Sequence, residues 1–67
     1  MLVNDVVELG KLIKETRKSQ NLTQADLAMV SNVGVRFLVD LENGKETAQV
    51  GKVIKVCKML GLKIEIK

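Results

Sequence analysis

An all-α domain of four short helices, closed by one short C-terminal β-strand, is predicted by three observations. Apolar residues recur at helical spacing over 6–20 and again over 48–60. Between them, Leu22 to Gly44 (LTQADLAMVSNVGVRFLVDLENG) reads as two short helices meeting at a sharp angle across a tight turn at Val30 to Gly34. Finally, Leu62-Lys63-Ile64-Glu65-Ile66-Lys67 alternates apolar with charged residues, the period of two that marks a strand. Residues 1–67 form a single domain on this reading, with 61–67 as the strand.

In the first helix, after a frayed start, Asn4 or Asp5 supplies the N-cap. Val6, Leu9, Leu12, Ile13 and Thr16 form the inner stripe, and Glu8, Lys11, Lys14, Glu15 and Lys18 the outer face. Gly10 costs about 1 kcal/mol relative to alanine there unless another element packs closely against it. Ser19-Gln20-Asn21 breaks the helix. Arg17, at the edge of the inner stripe near the C-terminal end, suits the helix dipole.

In the second helix Thr23 is the N-cap, with Asp26 three residues on as a capping box. Leu27 and Ala28 face inward, and the small Ala28 leaves room for a crossing helix. Ser31-Asn32-Val33-Gly34 makes the turn, because Asn and Gly tolerate positive φ. Val33 anchors it to the core. Leu38 and Leu41 fix the inner face of the third helix, and Gly44 is its left-handed stop. The whole stretch resembles the helix-turn-helix of the Xre and phage-repressor group of DNA-binding proteins, whose second helix enters the major groove. An Arg17–Glu42 ion pair is implied by that resemblance, with a structural role preferred over phosphate binding.

The fourth helix is expected over Ala48 to Leu60 with Thr47 as N-cap. Val50, Val53, Ile54, Val56, Cys57 and Leu60 cover about 160° of its wheel, and Lys52, Lys55 and Lys58 a separate stripe of about 120°. Gly61 closes it. A terminal strand in a helical domain has no partner in its own chain, and its open edge invites a second copy. The expected dimer contacts are Leu62, Ile64 and Ile66, with Val53, Cys57 and Leu60 beneath them.

Composition narrows the function. A domain of 67 residues buries only about 60% of its unfolded surface, so help from a second subunit is expected. The single cysteine allows no internal disulfide, and MLVNDVVELG offers neither a signal peptide nor a membrane span, which points to a cytoplasmic protein. Residues 1–44 carry five Lys/Arg against six Asp/Glu, whereas 45–67 carry six lysines against two glutamates. The helix-turn-helix half is therefore not basic, and the case for DNA rests on the motif rather than on charge. With no histidine, no Cys/His cluster and no glycine-rich phosphate loop, neither catalysis, nor a metal site, nor a cofactor is implied. Cys57, on an apolar helix face, is a packing residue.

Two long segments, LGKLIKETRKSQNLTQADLA and VGVRFLVDLENGKETAQVGKVIKVCKMLGLKIEI, resemble the HipB-type antitoxins of the Xre class. The resemblance implies a lambda-repressor-like fold with strands paired across a homodimer. It also implies autorepression at palindromic operator DNA and binding of a HipA-like serine/threonine kinase toxin. Asn32 departs from the glycine usual in such motifs. By correspondence along the motif, Gln24 contacts a phosphate or braces the recognition helix. Gly34, Val35, Arg36, Val39 and Asp40 face the groove, and Asn43 and Lys45 reach the DNA backbone. Arg36 is the best match to guanine O6 and N7, and Val35 to a thymine methyl. Asp40 either holds Arg36 in place or accepts from cytosine N4. For Phe37, core packing is preferred over DNA contact. The competing functions are a stand-alone Xre repressor without a toxin and a protein-interaction adaptor that binds no DNA.

Overall fold

The computed structural model describes residues 5–46 and 49–63, and every regular element among them is helical. The order is α1 (Val6–Ser19), α2 (Gln24–Ser31), α3 (Val35–Glu42) and α4 (Val50–Met59). Helix α1 packs on α3, while α2 packs on both α3 and α4. The core they enclose is built from Leu9, Ile13, Leu27, Ala28, Leu38, Leu41, Val53, Val56, Cys57 and Leu60. Leu27 and Ala28, Leu38 and Leu41, and the 53-56-57-60 stripe of α4 therefore bury the faces their spacing predicts.

Helix starts follow local chemistry. Asp5 caps α1 by accepting from Glu8 N at 2.8 Å. At α2 the capping box is complete: Thr23 Oγ1 accepts from Asp26 N and Asp26 Oδ2 from Thr23 N, each at 3.0 Å. Helix α3 begins at Gly34 with no side-chain cap. Helix α4 starts two residues later than expected, at Val50, with Gln49 at the cap position and no side-chain cap bond. Thr47 and Ala48 lie outside the described residues.

All four helices end in one way. Asn21, Asn32, Gly44 and Gly61 take left-handed backbone conformations, with φ of 60°, 56°, 78° and 76°. The next residue's N–H then donates to a carbonyl five residues back: Leu22 to Arg17, Val33 to Ala28, Lys45 to Asp40 and Leu62 to Cys57. This satisfies a carbonyl the helix leaves open and folds an apolar residue back onto it. Leu22, Val33 and Leu62 duly pack against the core. At the end of α3 the corresponding residue is Lys45, and its side chain stays in solvent.

Three expectations change. Gly34 has φ −73°, so Asn32 alone carries the positive φ of the α2–α3 turn. On α4, Val50 and Ile54 are 59% and 42% exposed, so only part of the predicted apolar arc is buried. The predicted strand is the third. Leu62, its first apolar residue, caps α4 and packs on the core, because Gly61 turns the backbone there. Ile64 and Ile66 lie outside the described residues. Val53, Cys57 and Leu60, assigned to the dimer contact, are 8%, 1% and 4% exposed within a single chain. So small a core needs them for itself. No helix among the described residues is long and apolar enough to cross a membrane.

Candidate nucleic-acid interface

What holds α3 in place is a buried polar cluster. Arg17 reaches Glu42 through two hydrogen bonds, Nε to Oε2 at 2.7 Å and Nη2 to Oε1 at 3.0 Å. Its remaining nitrogen, Nη1, donates to Leu22 O at 2.7 Å. Gln24 Nε2 adds a bond to Glu42 Oε1 at 3.2 Å. Arg17 and Glu42 are 7% and 5% exposed, so the pair is shielded from solvent and geometrically fixed. Four segments meet there: the end of α1, the α1–α2 loop, the start of α2 and the end of α3. Gln24 thereby ties the start of α2 to α3.

A close crossing locks the same end of α3. A Cβ added at Gly10 would collide with Leu41 O and lie 2.8 Å from Glu42 O. The absent side chain lets α1 sit directly on the α3 backbone. At the far end, Gln20 Nε2 donates to Leu60 O at 2.9 Å and joins α1 to the C-terminus of α4. No periodicity in the sequence announces that bond.

Fixed in this way, α3 turns Leu38 and Leu41 inward and exposes Val35 and Arg36, with Asn43 exposed at its end. Val39 and Asp40 are half-buried. Val35 is 47% exposed, high for an apolar residue in a domain short of core. Gly34, at the tip of the turn, is exposed, and a Cβ there would meet nothing within 4 Å. At helical spacing Val35, Arg36, Val39 and Asp40, which are expected to face a groove, fall on one side of α3, and the buried Leu38 and Leu41 fall outside it.

An open cleft runs beside α3, lined by Arg36, Phe37, Asp40, Leu41, Lys45, Glu46 and Gln49. Phe37 is half-buried and packs against the core, with Lys52 Nζ 5.6 Å from its ring centroid. It joins α3 to α4, as the packing assignment expects. Asp40 lies 3.9 Å from Lys45 Nζ. Arg36 makes no ion pair among the described residues, so Asp40 is the counter-charge of Lys45 and does not hold Arg36 in place. That pairing escaped the sequence reading, although the backbone bond from Lys45 N to Asp40 O follows from the Gly44 cap.

Among the described residues, Asp26 and Cys57 have displaced proton affinities. Hydrogen bonds from the backbone and then the hydroxyl of Thr23 hold the Asp26 carboxyl below its usual range. Burial pushes the Cys57 thiol up, which keeps it protonated and unreactive at neutral pH.

The helix-turn-helix family profile matches residues 13–67. An uncharacterised HTH-type transcriptional regulator, y4mF of Sinorhizobium fredii (strain NBRC 101917 / NGR234), is 54% identical over 59 residues, 88% of this chain and 78% of its own length. The human endothelial differentiation-related factor 1 is 34% identical over 61 residues, 91% of this chain, but the chain spans only 41% of that protein. Among solved structures, the restriction-modification controller protein C.AhdI from Aeromonas hydrophila superposes with a TM-score of 0.77 over 88% of this chain and 86% of its own, at 24% identity. That last likeness concerns the fold.

Proposed function

Because this chain belongs to the helix-turn-helix family of Xre-type transcriptional regulators, we propose that it reads operator DNA as a homodimeric repressor, with α3 in the major groove. The observation that carries the proposal is the division of α3. Its inner face is buried on Leu38 and Leu41, and its N-terminal outer face offers Val35 and Arg36, which makes no ion pair among the described residues, beside an exposed, unobstructed Gly34. Arg36 supplies a planar donor pair for guanine O6 and N7, and Val35 an apolar contact for a thymine methyl. Asn43 and Lys45, at the C-terminal end, reach the phosphate backbone and position the helix.

The test uses duplexes selected from a randomised library by the wild-type protein. Arg36→Ala is expected to lose about 1–3 kcal/mol of binding on the selected duplex and to relax preference at one base position per half-site. A variant that binds every duplex as the wild type does removes α3 from base readout. A protein with no salt-dependent affinity for DNA is the adaptor instead.

A second reading adds a HipA-like kinase toxin as partner. It is supported by the resemblance to HipB-type antitoxins and by the exposed lysines 52, 55 and 58 along α4. Such a contact forms quickly and weakens with salt. Reversing the charge of Lys52, Lys55 and Lys58 together then abolishes kinase co-purification and spares DNA binding. Undiminished co-purification returns the stripe to solvent, and a chain that never retains a kinase is a stand-alone repressor.

A further inference from the structure

We propose that Asp40 and Lys45 form a partner-exchange pair that makes the phosphate contact of Lys45 conditional on the base Asp40 meets. The inference rests on the reading of α3 as the recognition helix and adds a specificity device to it.

Lys45 differs from its counterparts at the other helix ends. Leu22, Val33 and Leu62 occupy the same position in the capping motif and pack on the core, whereas this one is charged. The motif nevertheless ties it down, because Lys45 N donates to Asp40 O at 3.0 Å. The same two residues then meet through their side chains, Nζ to Oδ2 at 3.9 Å. Lys45 is thus registered on Asp40 twice, once through the backbone and once through charge. The cleft they share holds two cations, Arg36 and Lys45, against two anions, Asp40 and Glu46. Its formal charge is zero where a polyanion is to dock.

If Lys45 swings to a phosphate, the Asp40 carboxylate is left unpaired beside the DNA while water is being displaced. Leaving an anion without a partner in such surroundings is costly. In the major groove only the amino groups of cytosine (N4) and adenine (N6) can replace the lysine as donors. Each base pair carries one of these amino groups on one strand or the other, and where it lies on the strand Asp40 faces, Asp40 changes partner and Lys45 is released to the backbone. On other sequences the pair stays closed and Lys45 contributes little. An ordinary phosphate contact strengthens all sequences alike, but this one is coupled to readout.

The experiment measures affinity against salt for wild type, Asp40→Asn, Lys45→Met and the double variant. The probes are a library-selected duplex and a random-sequence duplex of equal length. Asparagine keeps the shape and backbone bond of Asp40 but frees Lys45. Asp40→Asn is therefore expected to bind the random duplex about two- to fivefold tighter at low salt, the range open to an exposed pair. Its log–log salt slope should steepen by about 0.9, the signature of one added phosphate contact. Repeated selection with this variant should lose a cytosine or adenine preference at one position per half-site. Lys45→Met, which keeps the apolar stem, should weaken the selected duplex and leave the random one nearly unchanged. Unchanged slopes and an unchanged selected sequence in Asp40→Asn overturn the exchange while leaving α3 as the reader. So does a steeper slope that persists in the double variant, because Asp40 then acts by plain repulsion. Absence of duplex binding by the wild type at low salt removes both this inference and the DNA reading beneath it.

Discussion

At the scale of single residues, Arg17 and Glu42 decide whether α3 is presented at all. A buried ion pair offers little net stability over apolar residues of equal volume, but removing one partner strands the other, at a cost of about 3–5 kcal/mol. Arg17→Ala and Glu42→Ala should each lose about that much in urea unfolding, most of what a domain this small possesses. The double replacement Arg17→Met with Glu42→Leu should recover much of the loss, because no buried charge is then unpaired. A double variant as unstable as the sum of the singles would show that the hydrogen bonds to Leu22 O and from Gln24 matter more than the charge pair. Asp26 gives a pH handle of known sign. Its folded-state carboxyl is held below the ordinary range by Thr23, so its stabilisation is present above the unfolded value and fades as pH falls through the lower folded one. Wild type should therefore lose stability more steeply than Asp26→Asn as pH drops below the usual carboxylate range. Parallel acid melts would show that the capping box contributes nothing through charge.

At the scale of elements, glycines with opposite surroundings give opposite predictions. At Gly10 a Cβ runs into the backbone of α3, so Gly10→Ala should destabilise by about 1–3 kcal/mol, as overpacking does. Gly51, in the first turn of α4, is exposed with nothing within 4 Å, so Gly51→Ala should stabilise by up to about 1 kcal/mol through helix propensity. Thermal melts that move the two variants in the same direction would contradict the α1–α3 crossing. The helices were legible in the sequence because each condition for them is local: Thr23 with Asp26, Leu38 with Leu41, Gly44 and Gly61 as stops. Val53, Val56, Cys57 and Leu60 likewise announced a buried stripe, but no spacing says whether a face is covered by its own chain or by a second copy. Val50 and Ile54 were counted inside for the same reason. The partner of Asp40 escaped because Arg36 and Lys45 stand four residues before it and five after. Only the reversal of the chain at Gly44 selects the second. The shared ending of all four helices was in plain view as Asn21-Leu22, Asn32-Val33, Gly44-Lys45 and Gly61-Leu62, and it became recognisable once the positive φ of the two asparagines was known.

At the scale of the whole molecule, one chain offers one α3 and measures 30 × 23 × 18 Å along its principal axes. Successive major grooves on one side of a duplex lie about 34 Å apart, so a single chain engages one half-site and a two-fold pair is needed for two. The charge-balanced cleft strengthens the requirement. With Arg36 and Lys45 offset by Asp40 and Glu46, one subunit on the proposed reading would gain little from phosphate attraction in this cleft, and a second subunit would supply the rest. On α4, Val50 and Ile54 stand one turn apart and exposed, at the edge of the apolar arc whose other members, Val53, Val56 and Cys57, hold the core with Leu60. We therefore expect the dimer contact to include Val50 and Ile54 in place of the buried residues of the same helix. Replacing both by glutamate places like charges on the proposed two-fold contact without touching the core, so the variant should fold as the wild type does. In sedimentation it should run as a monomer where the wild type should run as a dimer. Its affinity for a two-half-site duplex should fall to that for a single half-site, and inserting five base pairs between half-sites should no longer matter. The wild type, in contrast, should lose affinity on that insertion, because half a helical turn places the second groove on the far side of the DNA. A glutamate variant that remains dimeric and still senses the insertion would place the interface elsewhere in the chain.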